Sequence, residues 1–211
     1  MQTPVDFKLY LITDRLNLPD GQDLFAQVEA ALRGGVQCVQ LREKDLPAAA
    51  LLPLAQRMRE LTREYGAQLL INREIEVALA VNADGLHLGG DSLSIKAARR
   101  RLGPDKLIGV STHRLKEVCQ AVKDGADFVT FGPVYATPSK LKYGEPVGVE
   151  ALAQAIVAAG DTSPVFALGG VNLKRLPKLL DLGCRQVACI GAILFAEDPE
   201  AQARKMVRML S

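Results

Sequence analysis

Short apolar runs typical of buried strands alternate along this chain with segments whose apolar residues recur at helical spacing. Residues 24–32 and 51–61 carry an apolar residue at every third or fourth position, which is the pattern of a helix with one buried face. The changeovers fall at Gly, Asn, Asp and Pro, which favour turns. A last helix is expected to begin near Pro199. The predicted strands are 8–13, 38–41, 68–71, 85–88, 107–110, 128–131, 165–168 and 186–189.

Every second strand is introduced by a similar phrase. These phrases are "GVQCVQL" from Gly35, "NADGLHL" from Asn82, "GADFVTF" from Gly125 and "GCRQVAC" from Gly183. In each, a small residue ends a helix and the chain turns into a buried parallel strand. Eight such strand–helix units predict an α/β fold of the (β/α)8 TIM barrel type rather than an open doubly wound sheet. We expect residues 1–211 to form a single barrel domain.

Side-chain parity within these strands predicts a polar site. Successive residues of a strand face opposite sides, so large apolar residues of one parity, such as Leu86 and Leu88, are expected to pack on the helices. Active sites of such barrels lie at the carboxyl ends of the strands. His87 fits a hydrogen-bonded interior histidine at least as well as a catalytic one. The polar residues left facing the axis are Gln40, Arg42, His87 and Thr130.

Composition and charge exclude several classes of partner. With 26 Lys and Arg against 24 Asp and Glu, the net charge of +2 is too small for a nucleic-acid or membrane surface. No segment reaches the ~18 continuous apolar residues of a membrane span, and "MQTPVDFKLY" lacks a leader pattern. Four cysteines without a CxxC pair indicate reduced thiols. We therefore expect a cytoplasmic protein without nucleic-acid or membrane partners.

The segment "QLREKD" after the second strand places Gln40, Arg42 and Lys44 at alternate positions. The two cations can hold the oxygens of a phosphate or diphosphate by charge-assisted hydrogen bonds. The alternative is an exposed loop in which Glu43 and Asp45 neutralise both cations.

Further anion-binding groups follow strands six to eight. The longest loop, 132–148, carries hydroxyls and a cation in "TPSK", and loops of this length are often functional. Strands seven and eight end near Gly170 and Gly191, where backbone N–H groups can approach a phosphate, although tight turns also explain these glycines. The "TPSK" residues in question are Thr137, Ser139 and Lys140.

Strands four and five end in residues with two interpretations. Asp91 in "GGDSL" can cap a helix or bind a hard cation such as Mg²⁺. The residues Ser111, Thr112 and His113 of "GVSTH" can serve a site or cap a helix. Spacing alone leaves both pairs of alternatives open.

Seven short motifs run through nearly the whole chain. They are "QLREKD", "LLINR", "ADGLHLGGD", "GVSTH", "FGPVYATPSK", "ALGGV" and "CIGAILFAEDP". In this order they resemble the motifs of thiamin-phosphate synthase and of its relative, the thiazole tautomerase, and they are closer to the synthase. The resemblance implies a barrel enzyme that joins hydroxymethylpyrimidine diphosphate to thiazole phosphate and releases diphosphate. It implies small phosphorylated substrates as partners, and a homodimer is an open alternative to a monomer.

The resemblance also implies roles at the diphosphate end. Asp91 would coordinate Mg²⁺, and Ser111 and Lys140 would reach the diphosphate. The reaction would be dissociative, because the C–O bond breaks first and the thiazole nitrogen captures the resulting pyrimidine-stabilised cation. The residues implied to hold the pyrimidine diphosphate are Gln40, Arg42, Lys44 and Asn72.

At the thiazole end, the resemblance implies that side chains and backbone N–H groups hold the phosphate. The side chains are those of Thr137 and Ser139. The backbone groups lie near Gly170, Ile190 and Gly191.

The chain departs from both relatives. Arg73 stands where the synthase has a metal-binding aspartate, and Gly191 stands where it commonly has a serine. Pro133 stands where the tautomerase has a proton-transferring histidine, and Lys44 is absent from the tautomerase pattern. We hypothesise that Arg73 replaces part of the metal's charge, by pairing with the diphosphate or by forming a salt bridge with Asp91.

Two other functions stay open at this point. One is a tautomerase-like isomerase that uses Thr112 or His113 as its base. The other is a non-catalytic barrel that binds a phosphorylated ligand.

Overall fold

A closed ring of parallel strands forms the centre of the protein. The computed structural model describes residues 5–90, 92–137 and 145–211. Within these residues eight strands pair in sequence order, and β8 pairs with β1 to close the barrel. The predicted (β/α)8 barrel is therefore confirmed. The strands are β1 (Leu9–Ile12), β2 (Cys38–Leu41), β3 (Gln68–Asn72), β4 (Gly85–Leu88), β5 (Leu107–Thr112), β6 (Phe128–Phe131), β7 (Val165–Leu168) and β8 (Gln186–Cys189).

Helices surround the ring and connect successive strands. In the described part of the chain none is long and apolar enough to cross a membrane. A short 3₁₀ turn, Arg15–Asn17, follows β1. The α-helices are α1 (Leu24–Arg33), α2 (Ala48–Glu64), α3 (Ile75–Ala80), α4 (Ile95–Leu102), α5 (Leu115–Lys123), α6 (Gly148–Ala159), α7 (Leu176–Asp181), α8 (Gly191–Leu194) and α9 (Pro199–Leu210).

The observed strands differ from the predicted ones mainly at the carboxyl ends of β3 and β5. There the ladder continues into polar residues, with Asn72 beside His87 and Ser111 beside Thr130. The apolar pattern stops earlier, because these side chains face the polar mouth of the barrel. Inter-strand hydrogen bonds do not depend on side-chain polarity, so the strands run on.

The two sides of the sheet form separate cores, and the predicted parity is confirmed. Val39, Leu86 and Val129 pack in the layer between strands and helices. The barrel interior is filled from its amino-terminal end by aromatic rings, whose centroids lie 5.1 to 5.9 Å apart. Polar groups therefore occupy the other half of the interior. The interior rings are Phe7, Tyr10, Phe128 and Phe166.

Two aspartates join neighbouring strands at the amino-terminal rim in the same way. Asp84, just before β4, accepts a hydrogen bond from Leu69 N at 2.7 Å and pairs with Arg59 of α2 at 2.5 Å. Asp127, just before β6, accepts one from Ile108 N at 2.6 Å and pairs with Arg99 of α4 at 2.5 Å. Two of the four recurring phrases, those from Asn82 and Gly125, thus correspond to the same contact between helix and strand.

Candidate active site

Gln40 lies at the end of β2 inside the barrel, where it is 1% exposed. Its amide Nε2 donates to the hydroxyl of Tyr10 at 2.9 Å. Its Oε1 is buried, and among the described residues it has no hydrogen-bond partner. A buried acceptor in this state is costly unless a donor reaches it, so Gln40 is ready to accept a hydrogen bond from a ligand.

The loop after β2 is anchored through Glu43. The Glu43 carboxylate accepts hydrogen bonds from Thr13 Oγ1 at 2.6 Å and from Arg15 N at 3.2 Å. Asp45 pairs with Arg15 at 2.5 Å. Among the described contacts, the two acids therefore bond to Thr13 and Arg15. Burial raises the pKa of Glu43, and the bonds from Thr13 and Arg15 oppose that shift.

Asn72 ends β3, Arg73 directly follows it, and both face the loop after β2. A cavity of about 290 Å³ lies between these segments. Arg73 has a left-handed backbone, with φ of 66°, and its N–H donates to the carbonyl of His87 at 3.0 Å. A left-handed arginine is uncommon and directs the side chain differently from the strand before it. The cavity is lined in part by Glu43, Lys44, Asn72, Arg73, Glu74 and Ser92.

His87 and Ser111 contact each other across β4 and β5. Ser111 Oγ lies 3.0 Å from His87 Nε2, and His87 Nδ1 lies 3.4 Å from the hydroxyl of Tyr10. Burial, with a smaller contribution from the nearby charge of Arg42, lowers the pKa of His87 to about 3. His87 is therefore neutral at physiological pH. The positive charge of Arg42 acts in the same direction as burial.

Across the mouth, Gly170 lies in a tight arrangement with Arg175. Gly170 has φ of 66°, and a Cβ atom there would lie 2.5 Å from Arg175 Nη1. The same guanidinium donates to the Gly170 carbonyl at 2.7 Å and lies 4.5 Å from the centre of the Tyr135 ring. Arg175 thus fixes the loop after β7 to the loop after β6. The hydroxyl of Thr137 is buried there without a partner among the described residues.

Ile190 and Gly191 begin the short helix α8 at the end of β8. A Cβ atom on Gly191 would lie 2.6 Å from Phe195 Cδ2, so a larger residue here would require the Phe195 ring to move. The first N–H groups of a helix lack intrahelical partners, so this end of the barrel offers backbone donors.

The structure therefore brings the predicted residues that it describes to one rim of the barrel. Three predicted site residues, Asp91, Ser139 and Lys140, lie outside the described residues.

The predicted Mg²⁺ site can be tested only in part. Among residues 5–90, 92–137 and 145–211, no three His, Cys, Asp or Glu side chains are grouped so as to hold a metal ion. Glu43 is bonded to Thr13 and Arg15, and Arg73 has only donors, so it cannot be a ligand. The described residues alone do not fit Mg²⁺, and its expected ligand Asp91 lies outside them.

The two residues considered as bases for an isomerase have other contacts. Thr112 is 1% exposed and its hydroxyl donates to the Thr130 carbonyl at 2.9 Å. His113 Nδ1 lies 2.5 Å from the Gly132 carbonyl. Both groups thus contact backbone carbonyls of β6 and the residue after it.

Sequence reasoning missed several residues of this site. Tyr10 sits in the apolar strand "LYLI" and reads as core, although its hydroxyl could have signalled an interior polar contact. Gly109 leaves room for His87, since a Cβ atom there would lie 2.7 Å from Nδ1. Arg175 has no local signal, because the ring that it contacts, Tyr135, belongs to the loop after a different strand.

Comparison with known proteins places this barrel among the synthases. A family model described as thiamine monophosphate synthase matches residues 9–193. A putative thiamine-phosphate synthase of Geobacter sulfurreducens is 53% identical over 206 residues, covering 98% of this chain and 95% of the relative. A thiamine-phosphate synthase of Syntrophomonas wolfei is 41% identical, covering 95% of each chain.

Solved structures agree with this relationship. Thiamine phosphate pyrophosphorylase from Pyrococcus furiosus superposes with a TM-score of 0.85 at 33% identity, covering 97% of this chain and 95% of that one. A 3-hexulose-6-phosphate synthase, at 19% identity and a TM-score of 0.67, shares the fold alone. The resemblance predicted from the seven motifs is confirmed, and the isomerase and the non-catalytic barrel are not favoured.

Proposed function

The chain belongs to the thiamine monophosphate synthase family, and we infer that it is a transferase of thiamin biosynthesis. We propose that it joins hydroxymethylpyrimidine diphosphate to thiazole phosphate and releases diphosphate. The observation that carries this proposal is the cavity of about 290 Å³ whose lining brings Lys44, Asn72 and Arg73 together. Cations and an amide at one cavity suit a ligand with several anionic oxygens.

The proposed reaction depends on stabilising the departing diphosphate. Arg42, Lys44 and Arg73 would bind its oxygens, so that negative charge develops next to fixed cations as the C–O bond breaks. The buried Oε1 of Gln40 would accept a hydrogen bond from the amino group of the pyrimidine and hold the ring in place. The thiazole nitrogen then attacks the methylene carbon, and positioning of the two substrates contributes much of the rate.

The thiazole phosphate would bind on the opposite side of the mouth. Backbone N–H groups near Gly170, Ile190 and Gly191 would donate to its oxygens, with the buried hydroxyl of Thr137. Ser139 and Lys140 are predicted to contribute from the segment outside the described residues.

For the metal, we propose that Arg73 supplies part of the positive charge that Mg²⁺, held by Asp91 and a second carboxylate, would otherwise provide. Its position in the cavity beside Lys44 and Asn72 supports this role. Mg²⁺ binding at Asp91 stays a prediction, as do a cytoplasmic location and a homodimer.

The test is formation of thiamin phosphate by purified protein supplied with both substrates over a Mg²⁺ titration. Product with little dependence on Mg²⁺ supports charge replacement by Arg73. No product at any Mg²⁺ level, with activity gained by Arg73→Asp, supports a metal site silenced by the arginine. Arg208→Asp on the exposed face of α9 is the matched charge control and is expected to behave like the natural protein. No product from any of these proteins contradicts the proposed function.

A further inference from the structure

A chain of hydrogen bonds runs through the barrel interior and ends in the candidate site. It begins at Gln40 Nε2, passes through the hydroxyl of Tyr10 and the ring of His87, and ends at Ser111 Oγ. The first three residues are almost fully buried, with exposed fractions of 1%, 0% and 3%, whereas Ser111 is partly exposed at the strand end. The chain therefore connects the interior with the mouth.

The direction of this chain follows from its first bond. Gln40 Nε2 can only donate, so the oxygen of Tyr10 accepts at 2.9 Å. The hydroxyl of Tyr10 then has one proton to donate, and His87 Nδ1 lies 3.4 Å away, a long but permitted bond. If Nδ1 carried the ring proton, the hydroxyl proton of the fully buried Tyr10 would have no acceptor among the described residues. The arrangement that satisfies both groups has an unprotonated Nδ1 that accepts from Tyr10.

The remaining ring nitrogen decides the state of Ser111. A neutral imidazole carries one proton, and with Nδ1 as acceptor that proton is on Nε2. Burial lowers the pKa of His87 to about 3, so the neutral form holds throughout the physiological range. Nε2–H then donates to Ser111 Oγ at 3.0 Å. The serine hydroxyl proton is left to point away from the ring.

We propose that His87 is a positioning residue that, held in its Nε2–H form by Tyr10, fixes Ser111 as a hydrogen-bond donor toward an anionic ligand. This inference rests on the proposed function, which places a diphosphate beside Ser111. A donor fixed in advance suits an oxygen on which negative charge increases, because little reorganisation is then needed during the reaction.

The packing around His87 supports a fixed orientation. A Cβ atom on Gly109, the register neighbour of His87, would lie 2.7 Å from Nδ1 and 2.3 Å from Phe128 Cζ. The ring also lies 5.8 Å from the rings of both Tyr10 and Phe128, measured between centroids. The imidazole thus fits a space that admits no larger neighbour.

The direct test is the tautomer of His87, measured by ¹⁵N NMR of the full chain labelled at histidine. The chain has two histidines, so the signals of His87 are those lost in His87→Asn. We expect a protonated Nε2 and an unprotonated Nδ1 between about pH 6 and pH 8, a range that includes the ordinary pKa of histidine. A proton on Nδ1 reverses the chain and overturns the proposal. This readout does not depend on turnover.

A set of variants then tests the effect on the ligand. His87→Gln keeps an amide donor near the position of Nε2, whereas His87→Asn places its amide near Nδ1. We expect His87→Asn and Ser111→Ala each to lower kcat about 10- to 100-fold, which is the range for a lost hydrogen bond to a charged group. His87→Gln is expected to retain most of the kcat of the natural protein. The double variant His87→Asn with Ser111→Ala is expected to lose no more than Ser111→Ala alone.

These outcomes separate the two proposals. If the natural protein makes no thiamin phosphate, the proposed function fails, and binding of inorganic diphosphate by the same variants replaces kcat as the readout. Additive losses in the double variant, or equal losses in His87→Gln and His87→Asn, overturn the positioning role. Thermal unfolding of each variant identifies losses that come from misfolding.

Discussion

Thr13 and Glu43 are joined by a 2.6 Å hydrogen bond that connects the end of the first strand to the loop after the second. The same threonine oxygen accepts a hydrogen bond from Arg42 N at 2.9 Å. The backbone that carries Arg42 and Lys44 is therefore held by an acid that contacts neither substrate in the proposed reaction.

Glu43→Gln is expected to weaken binding of the pyrimidine diphosphate. Glutamine keeps the shape and can accept from Thr13, but it loses the charge-assisted bonds from Thr13 and Arg15. We expect a higher KM for this substrate with a smaller change in kcat, and little change in unfolding free energy, because burial already disfavours the charge of Glu43. The matched control is Asp45→Asn, since its ion pair with Arg15 is more exposed and exposed pairs contribute about 0–1 kcal/mol. Equal effects of the two variants would contradict the anchoring role.

Gly170→Ala is expected to raise the KM for thiazole phosphate. The added Cβ would meet Arg175 Nη1 at 2.5 Å and Tyr135 Cβ at 2.8 Å, so the loops after β6 and β7 must separate. The control is Gly66→Ala, because Gly66 also has a positive φ, of 63°, but has nothing within 4 Å of an added Cβ. Both variants carry backbone strain of about 1–2 kcal/mol. If steady-state kinetics gives both the same KM as the natural protein, the loop contact is not part of the phosphate site.

The stability of the fold is expected to fall in acid because of His87. Its pKa of about 3 in the folded protein is below the ordinary value near 6.5, so the unfolded chain binds the proton first as pH falls. Stability attributable to this residue is complete above about pH 6.5 and is lost progressively down to the folded pKa, with about 2 kcal/mol lost between pH 7 and pH 5.

The measurement is urea unfolding at pH 7 and pH 5. The natural protein should lose about 2 kcal/mol more than His87→Gln over this interval, because glutamine does not titrate. Identical pH dependence in the two proteins would show that folding does not lower the pKa of His87.

Asp127→Asn is expected to lower the unfolding free energy by about 2 kcal/mol, because a largely buried carboxylate loses a charge-assisted bond and an ion pair. The partner Arg99 would keep its hydrogen bonds to backbone carbonyls of the residues after α4, such as Gly103 O at 3.2 Å. Glu76→Gln is the control, because Glu76 pairs with Arg101 but its side chain is 70% exposed. The unfolding free energy of both variants is measured by chemical unfolding. A similarly small loss in each would contradict the stabilising role of Asp127.

The fold was predictable because each buried strand of a parallel barrel is a short apolar run between turn residues, and the period of the pattern shows directly in the sequence. The polar ends of β3 and β5 were not predictable. The backbone hydrogen bonds between strands continue there beyond the apolar residues, and no side chain in the sequence indicates this. For the site, alternation alone placed Gln40 and His87 in the interior.

What local sequence could not show was the choice of partners. Glu43 reads as a neutraliser of the adjacent Arg42 and Lys44, yet it binds Arg15, because burial brings Thr13 and Arg15 to it from the preceding loop. The contact between Arg175 and Gly170 likewise depends on the left-handed turn of the chain after β7.

The paired joints at Asp84 and Asp127 lie at the rim opposite the substrates. These two contacts between neighbouring strands thus lie at the end of the barrel away from the proposed reaction. The loops that follow β3 or β5 could therefore be exchanged for those of another barrel while the contacts of Asp84 and Asp127 keep the strands in place. Exchanged loops should accordingly be tolerated better at the carboxyl ends of the strands than at their amino ends.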